Sequence, residues 1–203
     1  MTQIVTLSAV DPSIALSQRG KFFVIATGSM DIDAAGRPIY LRDIVRGRFE
    51  APKQIEVITD HYLKWRDQNH LGVGIEETFW QTSLLQYLRE AGVVPIFPIN
   101  RRKQGGADTG TRAMLLASRY EQQQIHHPTT NPPWLAAFED ELLAFTGEKG
   151  RDEYTDQVSA WCDVVSEFTK LLATRYARAQ EPPRYGRFSY DDGLWGAGRQ
   201  GGS

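Results

Sequence analysis

The stretch Ile4–Ser13, IVTLSAVDPS, decides how the rest of the chain is read. Ile4, Val5, Leu7, Ala9 and Val10 make a mostly apolar run. It lacks the strict alternation of a strand with one wet face, so it reads as a buried strand. Asp11 closes the run, and Pro12 stops it from continuing as a paired central element. A carboxylate at the end of a central strand stands at the rim of a sheet, where neighbouring elements can bring other acids to meet it. Two further acids fall at such places: Glu76, at the end of a later strand, and Asp156, in the first turns of the last helix.

Composition bounds what surrounds that strand. The chain has 203 residues, 41% of them hydrophobic, which suits a soluble globular protein. No apolar run approaches the roughly 20 residues of a membrane span, and the N-terminus has no signal-peptide pattern. Cys162 is the one cysteine, so neither a disulfide framework nor a cysteine-cluster zinc site is available. A reducing, cytoplasmic setting is the expectation. The formal net charge of -2 argues against broad affinity for polyanions, while leaving room for a local basic patch.

Outward from the first strand, Phe22, Phe23, Val24 and Ile25 mark a second, within Lys21–Met30. Asp33–Gly36 is a turn, and Ile39, Leu41, Ile44 and Val45 mark a third strand. Short connections favour an antiparallel meander. The period then changes. Ala51-Pro52 opens a helix carrying Ile55, Ile58, Tyr62 and Trp65 at three- and four-residue spacing. LGVGI (71–75) is a short strand ending at Glu76-Glu77. A helix follows from about Thr78 to Ala91, stopped by Gly92, and then a strand over Val93–Ile99. Helix alternating with strand implies parallel pairing through right-handed crossovers. Beyond the polar loop Asn100–Gly110, helices are expected over Thr111–Tyr120 and Trp134–Phe145, with a short edge strand at Gln124–His127. The longest helix, Asp152–Arg178, has Val158, Trp161, Val165, Phe168 and Leu172 as its core stripe. The expected fold class is α/β, a mixed sheet of three antiparallel strands followed by parallel strands, flanked by helices and closed by a long C-terminal helix. One domain occupies 1–180, and 181–203 reads as a Gly/Arg-rich flexible tail.

Asp11, Glu76 and Asp156 suit hard divalent cations such as Mg²⁺, which prefer carboxylate oxygens. Two such ions roughly 4 Å apart activate water and stabilise a leaving oxygen in phosphodiester cleavage, with Asp11 as the candidate bridge. Glu77 competes with Glu76, because adjacent strand residues face opposite ways. The plainer reading is that all three are ordinary acids, two of them at strand ends and one favoured by a helix dipole. No P-loop and no serine or cysteine nucleophile signature is present. His126-His127 reads as a solvated pair rather than as metal ligands.

Four segments, taken in order, carry a resemblance: GVGIEETFWQTSLLQYL (72–88), ADTGTRAMLLASRYEQQQIHHP (107–128), WLAAFEDELLAF (134–145) and YTDQVSAW (154–161). Together they resemble the C-terminal nuclease domain of the large terminase subunit of tailed phages, over about Ile4 to Leu172. The resemblance implies an RNase H-like fold and an endonuclease that cuts concatemeric viral DNA during packaging. It implies catalytic and metal-binding roles for Asp11, Glu76 and Asp156, with two Mg²⁺ or Mn²⁺ ions and Glu153 as an additional ligand. Implied partners are double-stranded DNA, the terminase ATPase domain, the small terminase subunit and the portal protein. The implied location is the cytoplasm of the infected bacterial host.

The sequence also departs from the pattern. Thr155 precedes Asp156 where a second acid is common, and Ser159 replaces a later aspartate. Lys21 stands near an expected acid, and Thr109 follows Asp108 where a lysine is usual, ahead of Arg112. The ATPase domain does not precede this region, so an excised domain or a split gene product is expected. For DNA contact the expected residues are Arg101, Arg102, Lys103 and Arg112 around a glycine loop, with the tail arginines Arg184, Arg187 and Arg199 second. Competing readings are another RNase H-like enzyme, such as a Holliday-junction resolvase, and a non-catalytic DNA-binding or portal-docking module.

Overall fold

Apolar runs become strands buried on both faces. The computed structural model describes residues 3–12, 22–76, 86–101, 109–148, 151–152 and 154–180, with 176–180 described by backbone alone. Strands β1 (Ile4–Asp11), β2 (Phe23–Asp31) and β3 (Ile39–Gly47) form the antiparallel meander. Helix α1 (Ala51–Trp65) leads to β4 (His70–Glu76), which pairs parallel with β1. β5 (Ile96–Ile99) pairs parallel with β4. Then follow α2 (Thr109–Glu121), β6 (Ile125–His126), α3 (Leu135–Ala144) and α4 (Asp156–Gln180). The strand order is β5-β4-β1-β2-β3-β6, with β6 parallel to β3 at the outer edge. The central position of β1 and the antiparallel-then-parallel order make this an RNase H-like mixed sheet.

Both faces of the sheet are covered. On one, α4 lays Val158, Trp161, Val165, Phe168 and Leu172 against the strands, all buried as their spacing predicts. Burying five such side chains stabilises by about 10 kcal/mol before the entropy of ordering them is counted. The contact is close because β2 carries a glycine. A Cβ on Gly28 would meet Val164 Cγ1 at 2.9 Å and Trp161 at 3.0 Å. On the other face, α1 packs Ile58 into a cluster with Val10, Phe23, Ile25, Val73 and Ile75.

That second face also buries a chain of polar groups. Ser8 Oγ lies 2.7 Å from Thr27 Oγ1 and 2.9 Å from His70 Nε2, and Thr27 Oγ1 lies 2.6 Å from His61 Nε2. His61 Nδ1 stands 4.0 Å from Asp43, which also accepts a hydrogen bond from Lys64 Nζ at 2.5 Å. Electrostatics favours one direction of donation: His70 to Ser8, Ser8 to Thr27, Thr27 to His61 Nε2. His61 then turns its Nδ1–H toward the Asp43 carboxylate.

Several element ends differ from the sequence expectations. The last helix begins at Asp156 rather than Asp152. Asp152 instead accepts the backbone N–H groups of Thr146 and Gly147, both at 3.0 Å, and so closes the preceding loop. The first N–H groups of α4 are satisfied from another element. Glu141 of α3 accepts from Gln157 N at 2.7 Å and Val158 N at 3.1 Å. The strand expected from Val93 starts at Ile96. Residues 86–91 are helical, and Gly92 adopts the left-handed conformation of a helix stop, with φ at +67°. The earlier part of that helix, and the 181–203 tail, lie outside the described residues.

Candidate active site

Two adjacent parallel strands, β1 and β4, end in acids. Val10 pairs with Ile75, so Asp11 and Glu76 follow side by side at the same rim. Both carboxylates face Arg101, two residues past the end of β5. Arg101 Nη2 lies 3.5 Å from Asp11 Oδ1, and Nη1 donates to Glu76 Oε2. A third carboxylate completes the cradle. Arg101 Nη2 and Nε donate to Asp163 Oδ2 at 2.6 and 3.1 Å.

Asp163 comes from α4, and its other oxygen accepts from Arg112 Nη1 at 2.6 Å. Arg112 also donates to the Ser159 hydroxyl at 2.9 Å and the Ser159 carbonyl at 3.2 Å, tying α2 to α4. The Asp163 side chain is fully buried and that of Arg101 is 10% exposed. Burial alone pulls the Arg101 pKa down, but the charges of Asp11, Asp163 and Glu76 outweigh it and raise it. Arg101 is therefore a permanent cation at the meeting point of three acids.

Asp156, the expected third acid, stands on the same helix two turns earlier, about 10 Å along the axis from Asp163. Its Oδ2 accepts the backbone N–H of Phe22 at 2.8 Å, which fixes the entry to β2. Arg112, expected on a DNA-facing loop, is 4% exposed and bonded inward. Arg101 is likewise turned onto the acids. Glu77, Arg102, Lys103, Glu153 and the tail arginines lie outside the described residues. The adjacent pair His126 and His127 contacts neighbouring side chains. His126 stacks on Tyr40, and His127 lies between Tyr120 and Glu139, at 2.7 and 2.6 Å.

Asp163 was hidden in the sequence because it sits inside WCDVV, among residues that read as core. The available signal was a polar stripe: Ser159, Asp163 and Ser166 recur at four and three residues on an otherwise apolar helix, and all three are buried.

Carboxylate oxygens from Asp11, Glu76 and Asp163 are the donors that Mg²⁺ or Mn²⁺ prefers. In donor chemistry the site fits a hard divalent cation. The position between the acids is taken by the Arg101 guanidinium. Among the described residues no group of three acids, histidines or cysteines stands open to hold a metal.

An RNase H-like sheet with acids gathered at the ends of β1 and β4 defines the class of architecture. No protein-family model matches the sequence, and no curated protein matches it. Among solved structures, the chain is similar to the large terminase from a thermophilic bacteriophage. Two crystal forms of that terminase give TM-scores of 0.56 and 0.57 at 12% identity, over 81% of this chain and 40% and 39% of theirs. Its complex with ADP gives 0.54 at 11% identity, over 81% of this chain and 38% of the terminase. The chain thus spans about 40% of the terminase length. At such identity, what is shared is the fold.

Proposed function

We propose that this chain is a divalent-metal-dependent DNA endonuclease of the terminase nuclease type. The observation that carries the reading is the convergence of Asp11, Glu76 and Asp163 on one point at the ends of the central strands. Asp163 replaces Asp156 in this assignment, and Asp156 is assigned to holding Phe22. Mg²⁺ or Mn²⁺ held there would supply an activated water and charge to offset the leaving oxygen of a phosphodiester.

The residues divide the remaining work. Asp11 and Glu76, on paired strands, set the spacing of the donors. Asp163 supports the third side from the helix, oriented by Arg112. Arg101 neutralises the acids while the site is closed and has to withdraw when a metal ion enters. Once withdrawn, its planar fork suits a phosphate oxygen of the bound strand. Cutting of concatemeric viral DNA, work beside an ATPase domain, a small terminase subunit and a portal, and a location in the infected bacterial cytoplasm belong to the same proposal. They are supported by the likeness in fold to the phage terminase.

The test is nicking of supercoiled plasmid with Mn²⁺ or Mg²⁺, beside Asp11→Asn and an EDTA control. Cutting that needs metal and Asp11 is the expected result; equal cleavage in EDTA sinks it. A second reading has an observation of its own. With Arg101 resident among the acids, the chain is a non-catalytic DNA-binding module whose arginine has replaced the metal. Absence of metal-dependent nicking, together with absence of Mn²⁺ binding by calorimetry, selects that reading.

A further inference from the structure

With Arg112 turned inward and Arg101 held on the acids, a bound duplex needs further cations on the rim to meet its phosphates. The sheet register points to the place. Asp11 pairs with Val24, and Val24 pairs with Arg46. Directly paired residues share a face. Asp11 and Arg46 are therefore on the α4 face of the sheet, two strand spacings apart, roughly 10 Å.

Arg46 is not alone there. Its guanidinium carbon lies 3.8 Å from the Phe22 ring centroid, and that of Arg48 lies 4.0 Å from the same ring. Tyr154 packs edge-on against Phe22 at 5.6 Å and is also within 5.6 Å of the Arg46 guanidinium. Phe22 itself is anchored through its N–H to Asp156, in the first turn of α4. The arrangement is a ring clamped to the fold with two cations on it, within about 8 Å of one another. Stacking on an aromatic ring holds a guanidinium's plane while leaving its N–H edge able to donate. Among the described residues, buried Arg46 Nε has no hydrogen-bond partner.

We propose that Arg46 and Arg48, stacked on Phe22, form a phosphate-binding site for the backbone of double-stranded DNA beside the acid cluster. The site rests on the nuclease reading for its ligand and deepens it by naming the surface that holds the duplex. It positions rather than reads: guanidinium contacts to phosphate fix the register of a strand and carry no base information. A duplex lying along the rim would then reach Asp11 and Glu76 with its charge offset a few nucleotides from the scissile bond.

The experiment measures binding of a fluorescent DNA duplex by the full chain in EDTA, by anisotropy at several salt concentrations. Arg46→Ala/Arg48→Ala is expected to weaken affinity by about tenfold or more and lower the salt slope by about 2, roughly one per phosphate contact. Arg46→Lys/Arg48→Lys keeps the charge and should keep the slope while losing part of the affinity. Arg48 is exposed, so Arg48→Ala carries the test even if the double variant does not fold; its slope should fall by about 1. An unchanged slope in Arg48→Ala and in the folded double variant overturns the site. Wild-type nicking with Mn²⁺ is scored separately. Arginine-dependent binding without nicking defeats the nuclease reading and leaves the phosphate site standing. Nicking with an unchanged slope does the reverse.

Discussion

Arg101 is the residue on which the site turns. A buried ion pair is a weak source of net stability, but removing one partner leaves the other charge uncompensated. Arg101→Gln removes the cation that Asp11 and Glu76 face and leaves buried Asp163 to Arg112 alone. In EDTA it should lose roughly 3–5 kcal/mol of stability, read from urea unfolding. Mn²⁺ should restore much more stability to this variant than to the wild type, because the ion then supplies the missing positive charge. If Mn²⁺ shifts both midpoints equally, Arg101 and the metal do not compete for one place. The same neighbourhood explains what was legible about the site. Asp11 and Glu76 each end an apolar strand, and that position is visible in one dimension. Asp163 is visible only as a polar interruption of a buried helix face. Its assignment needs the angle at which α4 crosses β1, which no local pattern carries. Nearby, burial pushes the Cys162 thiol up to about 12. Its alkylation should be slow in the native protein and fast in denaturant, which a thiol-reagent time course checks.

Helix α1 and strands β1, β2 and β4 are joined by the buried histidine–hydroxyl chain, and this makes their packing pH-dependent. Burial is the main cause that lowers both His61 and His70 to about 4, from an ordinary value of 6.5. The unfolded chain therefore takes up protons between those values, and the folded chain does not. The stability this contributes is present above pH 6.5 and is lost as pH falls from 6.5 toward 4. Urea midpoints should drop between about pH 7 and about pH 5, and His61→Phe/His70→Phe should flatten that part of the profile. A midpoint independent of pH over the same window would show that the histidines are not held neutral. On the opposite face, the seat of α4 depends on Gly28. Gly28→Ala pushes a methyl into Val164 and Trp161, and should destabilise by about 1–3 kcal/mol through overpacking. Because α4 carries Asp163, the same change should weaken Mn²⁺ binding, measured by calorimetry, although residue 28 is remote from the acids.

At the scale of the whole molecule, the sheet delivers acids and cations to one rim. Glu76, Asp11 and Arg46 come from β4, β1 and β3, which are separated in sequence by loops and by α1. With a net charge of -2 and an acidic centre, the proposed affinity for DNA would have to come from that local positive surface rather than from overall charge. Cleavage should therefore fall steeply with added salt while Mn²⁺ affinity changes little. Ca²⁺ should support binding with little cutting, because its looser geometry does not enforce the arrangement of a hydrolytic site. A plasmid-nicking series with Mn²⁺, Mg²⁺ and Ca²⁺ at several salt concentrations checks both statements. Cutting with Ca²⁺ as fast as with Mn²⁺ would count against the mechanism. No helix among the described residues is long and apolar enough to cross a membrane.

The sequence alone determined the elements and their faces. Hydrophobic period distinguishes the buried strands from the stripe of α4, and Pro52 and Gly92 mark a helix start and a helix stop through their own backbone geometry. It also determined that Asp11 and Glu76 end strands, because a carboxylate and a proline or a second acid interrupt an apolar run. Only the tertiary structure decided which cation stands between those acids and which helix residue joins them. Arg101 and Asp163 are 62 residues apart in the chain, and their pairing follows from β5, β1 and α4 converging at one corner. It likewise decided that Arg112 faces inward and that Arg46 shares a row with Asp11. Local propensity sets φ, ψ and periodicity within an element. The direction in which a charged side chain finds its partner is set by strand register and helix packing, which involve contacts far apart in sequence.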